Sequence, residues 1–161
     1  MEKLKIRLSE LTPEYQVILD ALSQTTILTG GLLLQSMTGL RWDDTDIDIL
    51  TTDYNLKSFG QKKWTGKLQS LQYTVLPGVI NIYSGLFGST NIKIDIVHVK
   101  SFDEFFNGID FDFCKIWCDG VDVYALNINS VETKTCKINK KEWQITKGRI
   151  SKYKARGFTI L

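Results

Sequence analysis

The spacing of apolar residues changes along the chain, and each change marks an expected element. Tyr15, Ile18, Leu19 and Leu22 recur at helical spacing behind Thr12-Pro13. A Thr N-cap followed by Pro at the first helical position starts a helix well. Thr25 to Leu28 is a short β-branched run that predicts a strand, Gly30-Gly31 breaks it, and Leu32 to Met37 predicts a short helix. Ile47 and Ile49 alternate with Asp46 and Asp48 in the two-residue period of a half-buried strand. Leu56 to Leu71 suits a helix, although Gly60 and Gly66 weaken it. Strands are expected at Tyr73 to Leu76, Val79 to Tyr83 and Ile92 to Val99, with turns at Pro77-Gly78 and around Gly85 to Ser89. Phe102 to Phe106 reads as a helical turn. Phe111 to Trp117 and Val121 to Leu126 flank Asp119-Gly120, a hairpin signal. Asn129 to Cys136 and Lys141 to Lys154 are expected as two closing helices. The expected architecture is α+β, a mixed sheet flanked by helices.

Composition narrows the class. The 161 residues, with no repeat or linker, suit one domain over 1–161, and 43% apolar with 24% charged residues suits a globular chain. Met1 to Leu11 alternates charges with Leu and Ile and lacks a signal peptide's apolar core. No apolar run is long enough to span a bilayer. Three cysteines, Cys114, Cys118 and Cys136, without a secretion signal suit free thiols and a cytoplasmic setting. With His98 the single histidine, a structural zinc site and a Cys–His nucleophile are poor readings. Net charge is only +2, but its distribution is uneven. Lys134 to Arg156 holds nine Lys/Arg and one acid, whereas Asp43 to Asp53 holds five Asp and no base. An acidic patch beside a basic segment suits a metal site that handles an anionic substrate.

The informative stretch is Thr29-Gly30-Gly31 followed by Trp42-Asp43-Asp44-Thr45-Asp46-Ile47-Asp48-Ile49. Strand residues i and i+2 share a face about 6–7 Å apart, so Asp46 and Asp48 present two carboxylates side by side. Like charges this close repel, and a divalent cation relieves them; hard oxygen ligands suit Mg²⁺ or Mn²⁺. Asp95 is the acid of a second β-branched strand, Asn91 to Val97. If that strand lies beside the first, three carboxylates converge on a site for in-line displacement, with Asp95 placed to take the acceptor hydroxyl's proton. Gly30-Gly31, between strand and helix, lets backbone N–H groups approach the phosphates of a nucleoside triphosphate. Lys147 and Lys152, with Arg149 and Lys154, are candidates for triphosphate or nucleic-acid contact, against the plainer reading of an exposed basic helix face. Trp42 and Trp64 suit packing more than base stacking, Asp112 suits a structural turn more than a site, and Asp43 and Asp44 suit the turn before the strand.

Together, Gly30-Gly31, Asp46-Ile47-Asp48-Ile49 and Asp95 resemble the DNA polymerase β-like nucleotidyltransferase superfamily. The resemblance implies a catalytic palm on an α/β/α sandwich, with Asp46 and Asp48 binding both metals and Asp95 one. Trp42-x-x-x-Asp46, Phe111-Asp112, Cys118-Asp119-Gly120 and Arg149-Ile150-x-Lys152-Tyr153-x-x-Arg156-Gly157-Phe158 are similar to small stand-alone members found in fungi, protists and large DNA viruses. Many active members carry Gly-Ser where this chain has Gly30-Gly31. The absence of a separate helical or nucleic-acid-binding domain favours a minimal transferase over a processive polymerase. The expected function is metal-dependent transfer of a nucleoside monophosphate from an NTP to a hydroxyl acceptor on tRNA, other RNA, a protein or a small molecule. The alternatives are an inactive nucleotide-binding module and an antitoxin-like partner of a toxin protein.

Overall fold

The alternating patterns at the centre of the chain form paired strands, and the helical patterns around them cover both faces of the resulting sheet. The computed structural model describes residues 2–11, 15–52, 68–76, 80–87, 92–138, 145 and 147–161. In chain order the elements are α1 (Glu2–Leu11), α2 (Tyr15–Ala21), β1 (Thr26–Thr29), α3 (Gly31–Thr38), β2 (Ile47–Thr51), β3 (Leu68–Leu76), β4 (Ile80–Phe87), β5 (Lys93–His98), α4 (Phe102–Asn107), β6 (Ile116–Cys118), β7 (Val123–Ala125), α5 (Ile128–Thr133), β8 (Thr135–Cys136), α6 (Arg149–Ala155) and β9 (Thr159–Ile160).

Seven strands form a mixed sheet in the order β3-β4-β5-β2-β1-β6-β7, and β8 and β9 make a separate pair. In the large sheet β2 and β5 are parallel, and their other neighbours are antiparallel. Alternation sorts side chains to two cores. Ile47, Ile49, Ile94 and Ile96 enter the larger one with Leu4 and Leu8 of α1, Ile18 of α2, Leu32 to Leu34 of α3, Val131 of α5 and Tyr153 of α6. Ile27 and Leu50 face the other way, into a smaller core under Phe106 of α4 with Val99. Helices on both sides of a mixed sheet are the α/β/α arrangement expected. No helix of the described residues is long and apolar enough to cross a membrane.

Several local expectations are corrected. Met1 to Leu11 gave no helical expectation, yet Glu2–Leu11 is helical because Leu4 and Leu8, one turn apart, are both buried in the larger core. Most of the helix expected at Leu56 to Leu71 lies outside the described residues, and Leu68 to Leu71 belong instead to β3, drawn into the ladder with β4. The turn expected from Gly85 begins later, since β4 runs through Phe87; the rest of that turn, Pro77-Gly78, Thr12-Pro13 and Trp64 lie outside the described residues. Phe111 to Trp117 is a strand only from Ile116. Asp112–Cys114 forms a 3₁₀ turn that lets Phe111 and Phe113 stack at 5.4 Å, with Phe113 also against Phe158 at 4.2 Å. The helix expected through Cys136 stops at Thr133, because Lys134 is left-handed (φ 55°) and Thr135–Cys136 pairs with Thr159–Ile160. The last helix starts at Arg149, after Gly148 turns at φ 87°; residues 141–144 lie outside the described residues.

Candidate active site

Gly30 links β1 to α3 at φ 83° and ψ −161°, a conformation open to glycine and strained for other residues. It serves close approach as well as the turn, because a Cβ built on Gly30 would collide with the Asp48 carboxylate. The Asp48 side chain therefore lies against the backbone at the start of α3, where no side chain caps the helix. Gly31 is different: its Cβ would meet only the Trp42 ring, at 3.6 Å.

Asp48 sits opposite Asp95 in the parallel β2–β5 ladder and opposite Thr29 in the β1–β2 ladder. Cross-strand partners share a face, so Thr29, Asp48 and Asp95 stand in one row across three strands. Thr29 is buried, and its hydroxyl donates to the Ile116 carbonyl at 2.6 Å, anchoring the row. Asp46 is exposed, just ahead of β2. Burial, then the charges of Asp95 and Asp46, pushes the Asp48 carboxyl up to about 7. Asp46 is raised too, by burial first and by Asp95 against the opposing pull of Lys93. Lys93, two residues before Asp95 on the same face, brings its Nζ to 3.4 Å from Asp95 Oδ2. As the side chains stand, no three His, Cys, Asp or Glu of the described residues are grouped to hold a metal ion.

A cleft of about 330 Å³ is lined in part by Thr29, Gly30, Gly31, Asp46, Asp48 and Lys152; Asp95, expected with the other two carboxylates, stands beside Asp48 in the ladder but is not among the lining residues. Arg149 and Lys152 of α6, with Arg156 just after the helix, form one wall. The two arginines are already engaged. Arg149 donates from Nε to Asp110 at 2.6 Å and from Nη2 to its other oxygen at 3.0 Å. Arg156, with 7% of its side chain exposed, donates to Asp44 at 3.1 Å and lies over the Trp42 ring at 4.5 Å. Lys152 is exposed, and its charge acts on Asp44, Asp46 and Asp48. Lys147 does not line the cleft; it is exposed in the turn before α6, because the helix starts two residues later. Lys154 is likewise exposed and off the cleft.

Trp42 is a packing residue, held between Gly31, Arg156 and the edge of Phe158. Asp112 pairs with Lys115 at 3.1 Å and accepts from Asn127, a local structural role. Cys114 lines the cleft, but burial pushes its thiol up to about 12, which removes it as a nucleophile at neutral pH. All three cysteines are free thiols. Sequence reasoning missed the far end of the cleft, made by Leu50, Val97, Phe105 and Ile109. Leu50 and Val97 had a usable signal, being two residues beyond Asp48 and Asp95 on the same strands; Phe105 and Ile109 had none.

No protein-family model and no curated protein matches the sequence. Solved structures do match. The Thermotoga maritima CCA-adding enzyme complexed with tRNA superposes with a TM-score of 0.70 at 14% identity, over 98% of this chain and 42% of that one. The fold is similar to that of the CCA-adding enzyme over the matched part. An apo CCA-adding enzyme gives a TM-score of 0.67 at 13% identity over 98% of this chain and 44% of the other. A CCA-adding enzyme with CTP gives 0.58 at 14% identity over 84% and 35%. The chain thus spans less than half the length of these CCA-adding enzymes.

Proposed function

We propose that the protein transfers a nucleoside monophosphate from an NTP to a hydroxyl acceptor and releases pyrophosphate. The observation that carries this reading is the row of Asp48 and Asp95 in register on parallel strands, with Asp48 packed on Gly30 at the start of α3. A raised, crowded carboxylate cluster fits a divalent cation, since the cation removes the repulsion that burial sharpens. Asp46, Asp48 and Asp95 are the residues that would hold Mg²⁺ or Mn²⁺, which when bound neutralises phosphate charge and favours the ionised acceptor. Gly30 and Gly31 offer backbone to the phosphates, and Lys152 offers a cation to them. Asp95 takes the acceptor proton as the hydroxyl oxygen bonds to the α-phosphorus and the bond to the bridging oxygen breaks. The structural neighbours include CCA-adding enzymes with tRNA, CTP and ATP, which favours an RNA end among the acceptors, ahead of a protein or small molecule. Free thiols fit a cytoplasmic setting.

One observation favours a second reading, a nucleotide-binding module without turnover. Lys93 pairs with Asp95 at 3.4 Å, the carboxylate that transfer needs for the acceptor proton. Pyrophosphate release and nucleotide affinity, measured for wild type and Asp95→Asn with each NTP, Mg²⁺ or Mn²⁺ and a panel of RNA, protein and small-molecule acceptors, separate the two. Transfer predicts that Asp95→Asn binds NTP nearly as well as wild type while release falls roughly 10²–10⁴-fold. Tight binding without release by wild type supports the module.

A further inference from the structure

Asp48 and Asp95 are followed two residues later by Leu50 and Val97, which are also partners in the ladder. Side chains two apart share a face, so an apolar pair stands one pleat repeat, about 6–7 Å, beyond the carboxylate pair. Phe105 of α4 and Ile109 close over this pair, and all four line the same cleft as Asp46, Asp48 and Gly30. Phe105 is half-buried, and its ring is steadied edge-on against Phe106 at 5.4 Å. The cleft therefore has a charged end and an apolar end with an aromatic ring, separated by a ribose-sized step.

We infer that the nucleobase of the bound triphosphate lies on this shelf, with its face against Phe105, Val97 and Ile109. The inference rests on the nucleotidyl-transfer reading, which puts the phosphates at the charged end. Continuity of the cleft carries the other end. A nucleobase is a flat ligand with two apolar faces, joined through a sugar to a polyanion. The shelf side chains carry no hydrogen-bonding group, so they hold a base by its face. Every base has such a face, and stacking on an aromatic side chain is tolerant of base identity.

The test compares ATP with inorganic tripolyphosphate, which has the charge but no base. Affinities are measured by calorimetry with Mg²⁺ on the full chain, for wild type and Phe105→Ala. Wild type is expected to bind ATP about tenfold or more tightly than tripolyphosphate, and Phe105→Ala to weaken ATP by about tenfold or more, as stacking on one aromatic ring predicts. Tripolyphosphate affinity is expected to stay the same in the variant. If Phe105→Ala does not fold, Phe105→Leu keeps the packing volume and removes the ring, with the same split expected. Equal affinity of wild type for both ligands, or an equal loss of both in the variant, overturns the shelf. Failure of wild type to bind either ligand overturns the transfer reading, and the shelf with it.

Discussion

Two neighbouring residues, Asp48 and Gly30, set the behaviour of the cleft at the residue scale, and both are testable without a substrate. Asp48 ionises near 3.8 when its surroundings are ordinary and near 7 in the fold. Between these values the folded protein keeps a proton that the unfolded chain releases, so Asp48 lowers stability as pH rises through this window and by a constant amount above it. In metal-free protein, Asp48→Asn should match wild type near pH 4 and exceed its stability by up to about 4 kcal/mol near pH 8, gaining about 1.4 kcal/mol for each pH unit crossed within the window. Urea melts in EDTA across that range check it, and an offset independent of pH contradicts the cause given. Gly30 and Gly31 look alike in sequence but differ in surroundings. Gly30→Ala forces a Cβ into the Asp48 carboxylate at positive φ and should cost about 1–3 kcal/mol. Gly31→Ala meets only ordinary contact with Trp42 and should stay within about 0.5 kcal/mol of wild type. Thermal melts of the two variants decide, and equal losses would mean that the Gly30 approach is not as described.

The elements differ in how far their own residues explain them. The α6 sequence, Arg149 to Ala155, reads as a basic face, yet its charges have separate jobs. Arg149 holds Asp110, and Arg156 just after the helix holds Asp44 and stacks on Trp42, so these two orient the helix, while Lys152 looks into the cleft. The Arg149–Asp110 pair is the stronger anchor, with side chains 29% and 11% exposed. Arg149→Ala strands the more buried partner and should destabilise by about 3–5 kcal/mol, more than Asp110→Ala, whose remaining cation reaches water more easily. The double variant should be no worse than Arg149→Ala alone, because the stranded carboxylate is gone. A double-mutant cycle by urea denaturation measures this, and additive losses would show the pair to be uncoupled. At the other end of the chain α1 is tied down by Glu10, which accepts from both Arg7 and Arg41 at 2.7 Å. Hydrogen bonds from Arg41 and then Arg7 hold its carboxyl down to about 2.

At the scale of the molecule, one sheet brings residues far apart in the chain into one row, and two unequal cores support it from either side. The cleft is lined from both sides, by Leu34 and Tyr153 of the larger core and by Leu50 of the smaller one. The sequence by itself determined the local pieces: the α2 periodicity, the Gly30-Gly31 break before a helix, the Asp46–Ile49 alternation and the Asp119-Gly120 hairpin. Each depends on residues within a few positions, where backbone sterics and burial period act directly. It also marked Asp46, Asp48 and Asp95 as candidates, because acids alternating with β-branched residues are unusual at a buried strand. Only the tertiary structure decided that Asp48 and Asp95 are in register, since strand order and pairing are set by packing of the whole sheet and leave no trace in local spacing. The same holds for Arg149 and Asp110, 39 residues apart. It holds for Lys147, which loses its place at the cleft when Gly148 delays the helix, and for Phe105, which reaches the cleft because α4 folds back across Leu50 and Val97.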